Sequence, residues 1–155
     1  MVLFKKIQDK VLSLLGQPEQ ESKPQHCGNL IALGVLLWAV AEADEKFFPT
    51  EKEKIEEILS KYCHVRPEDM SIVMRAVEEA SFERIDIFQF AKDAGAGLSH
   101  EERLELLQHL FGVAYLDNVL SPDEEAMIRQ ISGHLGLEHQ EFIDVKLMVK
   151  EKMNI

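Results

Sequence analysis

Apolar residues recur along the chain at intervals of three and four, and no segment shows sustained alternation of apolar and polar residues. The first spacing places apolar side chains on one face of an α-helix, whereas alternation would indicate a half-buried strand. The pattern therefore predicts an all-α fold. Seven core helices are expected, beginning near Asn29, Pro49, Pro67, Asp86, Ser99, Ser121 and Glu138.

A helix-turn-helix stretch occurs twice, in residues 37–58 and 110–131, and each residue of the second copy is numbered 73 higher than its equivalent in the first. The matching apolar positions predict one buried helix pair that is used twice. Two copies are too few for an open solenoid, so we expect a closed, pseudo-symmetric bundle. The main apolar matches pair Leu37 with Leu110, Val40 with Val113, Ile55 with Ile128 and Ile58 with Ile131.

Acidic residues also match between the two copies. Asp44 corresponds to Asp117, and Glu51 corresponds to Glu124. Core packing does not require these residues, and each aspartate lies at a helix C-terminus, where the helix dipole disfavours negative charge. A short turn brings each aspartate to the same side as the following glutamate. Since clusters of carboxylate oxygens suit Ca²⁺ or Mg²⁺, we predict that these four residues form a divalent-cation site.

Helix capping offers an alternative explanation for the acids of the second copy. Ser121 and Glu124 have the Ser-x-x-Glu spacing of a capping box, in which each side chain bonds the backbone amide of the other residue. Asp117 has the residue type that accepts a hydrogen bond from its own turn. Neither interaction needs a metal ion.

The first copy differs from the second at the capping position. Phe48 stands where Ser121 stands, and it cannot cap a helix through its side chain. Thr50 and Glu53 are spaced for a capping box instead. On this interpretation, capping explains Glu51 less well than it explains Glu124.

The paired acidic turns resemble the TerB-like family, a helical domain associated with tellurite resistance, whose pattern A-x-x-D-G-x-[aliphatic]-x-x-x-E occurs twice. The copies here are residues 41–51 and 114–124, and the resemblance covers about residues 28–152. It implies an all-α domain of about seven helices with a shared acidic site, and a role in divalent-metal binding or stress-linked protein interaction. A related domain occurs in a membrane-anchored DnaJ-like co-chaperone. The positions that match the family's acids are Asp44, Glu51, Asp117 and Glu124.

The chain departs from the family pattern at the glycine that follows each aspartate. Glu45 occupies this position in the first copy and Asn118 occupies it in the second. Asn adopts the left-handed conformation more readily than Glu does. We therefore expect the first turn to differ in shape from the second.

Charge and motifs limit the range of functions. The net charge is −11, from 17 Lys plus Arg against 28 Asp plus Glu. Such a surface disfavours nucleic acid; it suits a multivalent cation or a basic partner, or it serves solubility alone. The chain contains no G-x-S-x-G, P-loop, H-E-x-x-H or E-x-x-H motif, so we expect no enzymatic activity. Cys27 and Cys63 match no zinc or disulfide spacing, which indicates reduced thiols of a cytoplasmic protein.

The first 24 residues are predicted to form a segment separate from the domain of residues 25–155. Residues 2–15 carry an apolar helical stripe flanked by three lysines, and a polar linker with two prolines follows. The charge of residues 1–16 is +2, from three Lys and one Asp. This amphipathic helix is compatible with a membrane surface or a partner, but packing on its own domain or on a second copy is the preferred interpretation, because the segment is short and only weakly basic.

Two functional hypotheses follow. The first is a non-enzymatic TerB-like module that binds a divalent cation through its acidic site and acts in stress-related interaction with an unidentified protein. The alternative is a metal-independent interaction scaffold whose N-terminal helix docks to a partner or to a membrane surface. The longest apolar run, residues 30–41, would rise only about 18 Å as a helix, too short to span a bilayer. We therefore expect a cytoplasmic protein, with membrane contact limited to peripheral docking of residues 2–15.

Overall fold

The computed structural model describes residues 30–45, 47–83 and 86–154, and within these ranges it contains seven α-helices and no strand. The all-α prediction is confirmed. The predicted N-terminal helix and its linker lie outside the described residues. The helices are α1 Leu30–Ala41, α2 Pro49–Cys63, α3 Pro67–Phe82, α4 Ile87–Ala96, α5 His100–Ala114, α6 Pro122–His134 and α7 His139–Lys152.

Helix α1 is the centre of the bundle. Every residue of α1 except Ala39 is buried, as expected for a helix that is apolar on all sides. It packs against α2, α3, α4, α5 and α6. The contact with α3 is close at Gly34, where an added Cβ would lie 2.5 Å from Cγ2 of Val77. The absence of a side chain at Gly34 therefore allows the two helices to approach.

The internal repeat is present in the backbone. The turn after α1 and the turn after α5 contain equivalent hydrogen bonds, from Glu45 N to Glu42 O (3.0 Å) and from Asn118 N to Tyr115 O (2.7 Å). Glu45 and Asn118 both have a left-handed φ, of 63° and 66° respectively. The expectation that the first turn differs in shape is therefore wrong, because Glu45 adopts the conformation of its equivalent.

Local signals account for most helix starts. Ser99 and Ser121 each accept a hydrogen bond from the third residue of the helix that follows, and Asp86 caps α4 by accepting from two amides. Proline is the first residue of α2, α3 and α6, where its missing N–H would have no helical partner. These features place the start of α2 directly after the first acidic turn and the start of α6 directly after the second.

The remaining helix, α7, packs against α5 and α6. Cys63 is buried at the end of α2, whereas Cys27 lies outside the described residues, so the reduced state of the two cysteines stays a prediction. Across the part of the chain that the structure describes, no helix is both long enough and apolar enough to cross a membrane.

Candidate functional site

Two glutamates are buried at equivalent positions of the repeat. Glu51 is the third residue of α2 and Glu124 is the third residue of α6; their exposed fractions are 7% and 4%. Oε1 of Glu51 accepts a hydrogen bond from Phe48 N at 2.7 Å, and Oε1 of Glu124 accepts one from Ser121 N at 3.1 Å. Each glutamate therefore satisfies a backbone amide that precedes its own helix.

The two copies cap their helices differently. Ser121 Oγ accepts from Glu124 N, which completes the predicted capping box of the second copy. In the first copy the cap residue is Phe48, which offers no side-chain bond, and Thr50 lies inside the helix. The predicted box between Thr50 and Glu53 is therefore wrong. Glu51 reaches back to the cap as Glu124 does, so capping explains part of the role of both glutamates.

The two aspartates lie in the turns that follow α1 and α5. Asp44 is half-buried and Asp117 is exposed. Oδ1 of Asp117 accepts a hydrogen bond from Val119 N at 3.2 Å, which confirms the predicted bond within its own turn. This bond places the carboxylate of Asp117 beside the backbone that leads into α6.

Electrostatic interactions bring Glu51 together with both aspartates. Burial raises the pKa of Glu51, the hydrogen bond from Phe48 N opposes this rise, and the charges of Asp44 and Asp117 add to it. Asp44 belongs to the same copy as Glu51, whereas Asp117 belongs to the other copy. The two acidic turns therefore face a common region.

Glu124 is perturbed more strongly than Glu51. Burial raises the pKa of Glu124 from 4.5 to about 7, and the charges of Asp44 and Glu51 add to this rise. The hydrogen bonds to Ser121 oppose it. The aspartate that acts on Glu124 is thus Asp44 of the first copy. Asp117, its partner by sequence, is not among the charges that act on it. Asp44 is the acid that interacts with both buried glutamates.

A third buried acid provides a contrast. Asp69 is also the third residue of a helix that begins with proline, and its exposed fraction is 7%. Arg66 Nε donates to Asp69 Oδ2 at 2.8 Å, so this carboxylate has a cationic partner. Among the described residues, the charges that act on the pKa of Glu51 and Glu124 are all carboxylates. The pair at the repeat is therefore buried with its negative charge uncompensated by these groups.

Capping alone does not account for this burial. Glu102 and Glu141 occupy the same third position in α5 and α7, and each accepts a hydrogen bond from the amide of its cap residue. Glu102 is half-buried, and the side chain of Glu141 is 25% exposed, so both caps function without full burial. The pKa of Glu141 is lowered by its hydrogen bond from Glu138 N, the opposite direction from Glu51 and Glu124. Glu51 and Glu124 thus make the same cap as Glu102 and Glu141, but of these four glutamates only Glu51 and Glu124 are buried.

A cavity of about 240 Å³ lies between the two copies of the repeat, beside Glu51. Its walls come from the start of α2 and from the end of α5 with its following turn; the lining residues are Phe48, Thr50, Glu51, Val113, Leu116 and Asp117. Glu51 and Asp117 therefore face one space although they are far apart in sequence. The sequence predicted that Val113 is buried, from its match with Val40, but it did not predict that Val113 and Leu116 line a cavity beside Glu51. The signal for Leu116 was its alignment with Ala43 in the repeat.

The four predicted residues match a metal ion in their chemistry but not in their present arrangement. Their donor atoms are all carboxylate oxygens, which matches the preference of Ca²⁺ and Mg²⁺. Within the described ranges, however, no three His, Cys, Asp or Glu side chains are arranged to hold an ion. Glu51, Glu124 and Asp117 each direct one oxygen to a local amide. The residues therefore fit in chemistry and charge, while coordination requires their side chains to turn toward one another.

The fold and the site together define a class of protein. It is an all-α module in which a helix-turn-helix unit occurs twice and the acids of both turns interact. The family model described as tellurite resistance protein TerB matches residues 30–147, so the chain belongs to the TerB family, as the sequence pattern indicated. No curated protein and no solved structure matches the chain.

Proposed function

We propose that this TerB-family protein is a non-enzymatic module that holds a divalent cation among Asp44, Glu51, Asp117 and Glu124. The observation that carries the proposal is the pair of nearly buried glutamates at equivalent positions, whose charged neighbours in the described part of the chain are carboxylates. Burial of like charges is unfavourable unless a positive charge compensates them. A divalent cation provides that compensation.

Each acid has a distinct part in the proposed site. The charge of Asp44 raises the pKa of both Glu51 and Glu124, so Asp44 would bridge the two copies. Glu51 and Asp117 would bind from the cavity that they share. Glu124 would contribute its second oxygen, Oε2, while Oε1 remains on Ser121 N. The ion would supply charge neutralisation and would hold the two turns together.

The family and the location of the site support a proposal for the cellular role. The ion would join the α1–α2 turn to the α5–α6 turn and so set the shape of one end of the bundle. We propose that a protein partner recognises this end in a stress response of the tellurite-resistance type, in the cytoplasm. The acidic surface, with a net charge of −11, supports a basic partner rather than nucleic acid.

The test of the site is isothermal titration of the full chain with Ca²⁺, Mg²⁺, Mn²⁺ and Zn²⁺ after treatment with a chelator. We expect Asp44→Asn to weaken binding at least about tenfold, because it removes the acid common to both copies. The matched control is Asp123→Asn, which removes one exposed acid next to Glu124 and should leave affinity nearly unchanged. Equal affinities for the wild type and Asp44→Asn would contradict the assignment.

A metal-independent interaction scaffold is the second candidate. It is favoured by one observation, that Glu51, Glu124 and Asp117 already accept hydrogen bonds from their own turns. On this hypothesis the acids serve capping and attract a basic partner directly. No heat of binding for any of the four ions, together with partner binding that a chelator does not change, would favour this candidate over the first.

A further inference from the structure

A second recess lies beside the α1–α2 turn. This groove has a volume of about 700 Å³ and runs between α1, the end of α3, the start of α4 and α6. Six of its described lining residues are apolar, namely Val35, Ala39, Ala80, Phe82, Ile87 and Met127. A groove lined in this way can accept the apolar face of a helix.

One residue of the groove presents an uncovered apolar side chain. The exposed fraction of Phe82 is 84%, the highest of any large apolar residue in the described ranges. An occupant that covers this ring removes apolar surface from water, which is favourable.

The rim of the groove is acidic. Glu42 and Glu45, which follow α1, line it and are exposed. No Lys or Arg is among the described residues that line the groove. Charge complementarity therefore selects an occupant that carries lysines or arginines beside an apolar stripe.

We propose that residues 2–15 of this chain bind in the groove as an amphipathic helix. The segment has an apolar stripe, formed by Leu3, Ile7, Val11, Leu14 and Leu15. Its three lysines, at positions 5, 6 and 10, flank the stripe and would meet the acidic rim. The apolar stripe would cover Phe82 and the other apolar residues that line the groove.

The chain between the segment and α1 is long enough for this arrangement. Residues 16–29 span at most about 48 Å when extended, and α1 itself is about 18 Å long. The groove borders the C-terminal half of α1, so the linker exceeds the distance along that helix. A helix of residues 2–15 would be about 21 Å long. Docking within one molecule is therefore sterically possible, and the tether favours it over binding to a separate partner.

The proposal is independent of the cation, although the two surfaces share one turn. Glu42 and Glu45 line the groove, and Asp44 between them faces the acidic site. The experiment is therefore done in chelator, so that a failed cation site does not affect its result.

The test is photo-cross-linking of the full chain with a benzophenone amino acid in place of Ile7. We expect an adduct with the mass of one chain, mapped to residues 35–45 or 80–87. Anionic phosphatidylserine vesicles are present in a second arm. An adduct of two chains, an adduct with lipid, or an adduct within the chain at another surface would overturn the proposal, and each would identify the true occupant.

Charge exchange tests the predicted orientation. Glu42→Lys with Glu45→Lys should remove most of the adduct within the chain. Adding Lys5→Glu, Lys6→Glu and Lys10→Glu should restore it, since the charges are then complementary again. Persistence of the adduct in the first variant, or its failure to return in the second, would contradict docking against the acidic rim.

Matched controls separate docking from unfolding. Phe82→Ser should decrease the adduct, while Leu147→Ser on α7, also exposed, should not. For charge, Glu101→Lys with Glu105→Lys on α5 should leave the yield unchanged, because these residues are exposed and do not line the groove. Circular dichroism checks that each variant remains helical, and an equal loss in the control variants would overturn the proposal.

Discussion

At the scale of single residues, Glu124 is the most unusual group in the described part of the chain. It keeps the common function of an N-terminal helix cap, yet its exposed fraction is 4% and the charges that act on it are those of Asp44 and Glu51. The shift of its pKa from 4.5 to about 7 corresponds to about 3 kcal/mol against the ionised form. Glu124 therefore opposes folding when it is ionised and no cation is present.

This shift predicts a specific dependence of stability on pH in the absence of divalent ions. Because the pKa of Glu124 is higher in the folded chain than in the unfolded chain, the folded state binds more protons between pH 4.5 and about 7. The contribution of Glu124 is most favourable below pH 4.5 and is lost as the pH rises to about 7. Glu124→Gln should therefore increase the free energy of unfolding at pH 8 by up to about 3 kcal/mol, measured by urea denaturation in chelator.

Glu125, which follows Glu124, provides a control because its pKa shifts in the opposite direction. The hydrogen bond from Lys146 lowers the pKa of Glu125, so the ionised form of Glu125 stabilises the fold above its unfolded pKa. Glu125→Gln should therefore decrease stability at pH 8. If both substitutions destabilise the chain at pH 8, burial of Glu124 is not unfavourable and the interpretation of its environment is wrong.

At the scale of elements, the two acidic turns share a left-handed conformation at the family's glycine position, although different residues occupy it. The φ angles of Glu45 and Asn118 differ by 3° (63° and 66°). A left-handed conformation costs an ordinary L-residue about 1–2 kcal/mol, and Asn tolerates it better than Glu does. The tertiary structure therefore imposes on Glu45 a conformation that its own preference opposes.

Replacement of Glu45 by glycine should stabilise the chain by up to about 1 kcal/mol, since the relief of strain exceeds the entropy that glycine loses on folding. Asn118→Gly should be close to neutral. Glu45→Ala is the control, because it removes the same charge and keeps the strain. Urea denaturation that ranks Glu45→Ala equal to or above Glu45→Gly would show that charge, and not backbone strain, determines the effect.

At the scale of the whole molecule, the proposed ion connects the two halves of the repeat. An ion that binds only the folded state at about 100 times its dissociation constant adds about 2.7 kcal/mol, which for a chain of this size raises Tm by about 5–10 °C. Calorimetry should show this increase for the wild type with Ca²⁺ or Mg²⁺. Glu124→Gln should begin from a higher Tm at pH 8 without the ion and gain less from it.

The control for this measurement is Asp123→Asn, which lies outside the proposed ligand set and should retain the increase in Tm. The same increase in Glu124→Gln and in Asp44→Asn would mean that the ion binds elsewhere on the acidic surface. No increase in the wild type would leave the metal-independent scaffold as the better description.

Local information was sufficient for the elements and for the family. The positions of the helices follow from apolar spacing, from Pro49 and Pro122 at first helical positions and from the caps at Asp86 and Ser99, all of which act within a few residues. The repeat of acidic turns identified the family and the four candidate residues, and the family assignment is confirmed. The boundary predicted between residues 24 and 25 remains a prediction.

Tertiary packing decided which of these acids meet. By sequence, Glu124 belongs with Asp117, yet the aspartate that acts on it is Asp44, which is supplied by the other copy. By sequence, too, the third-position glutamates of α2, α5, α6 and α7 are alike, but only those of α2 and α6 are buried within the described chain. Capping depends on neighbours three residues away and is therefore visible in the sequence. Burial and repulsion depend on helices that are distant along the chain, so only the packed bundle determines them.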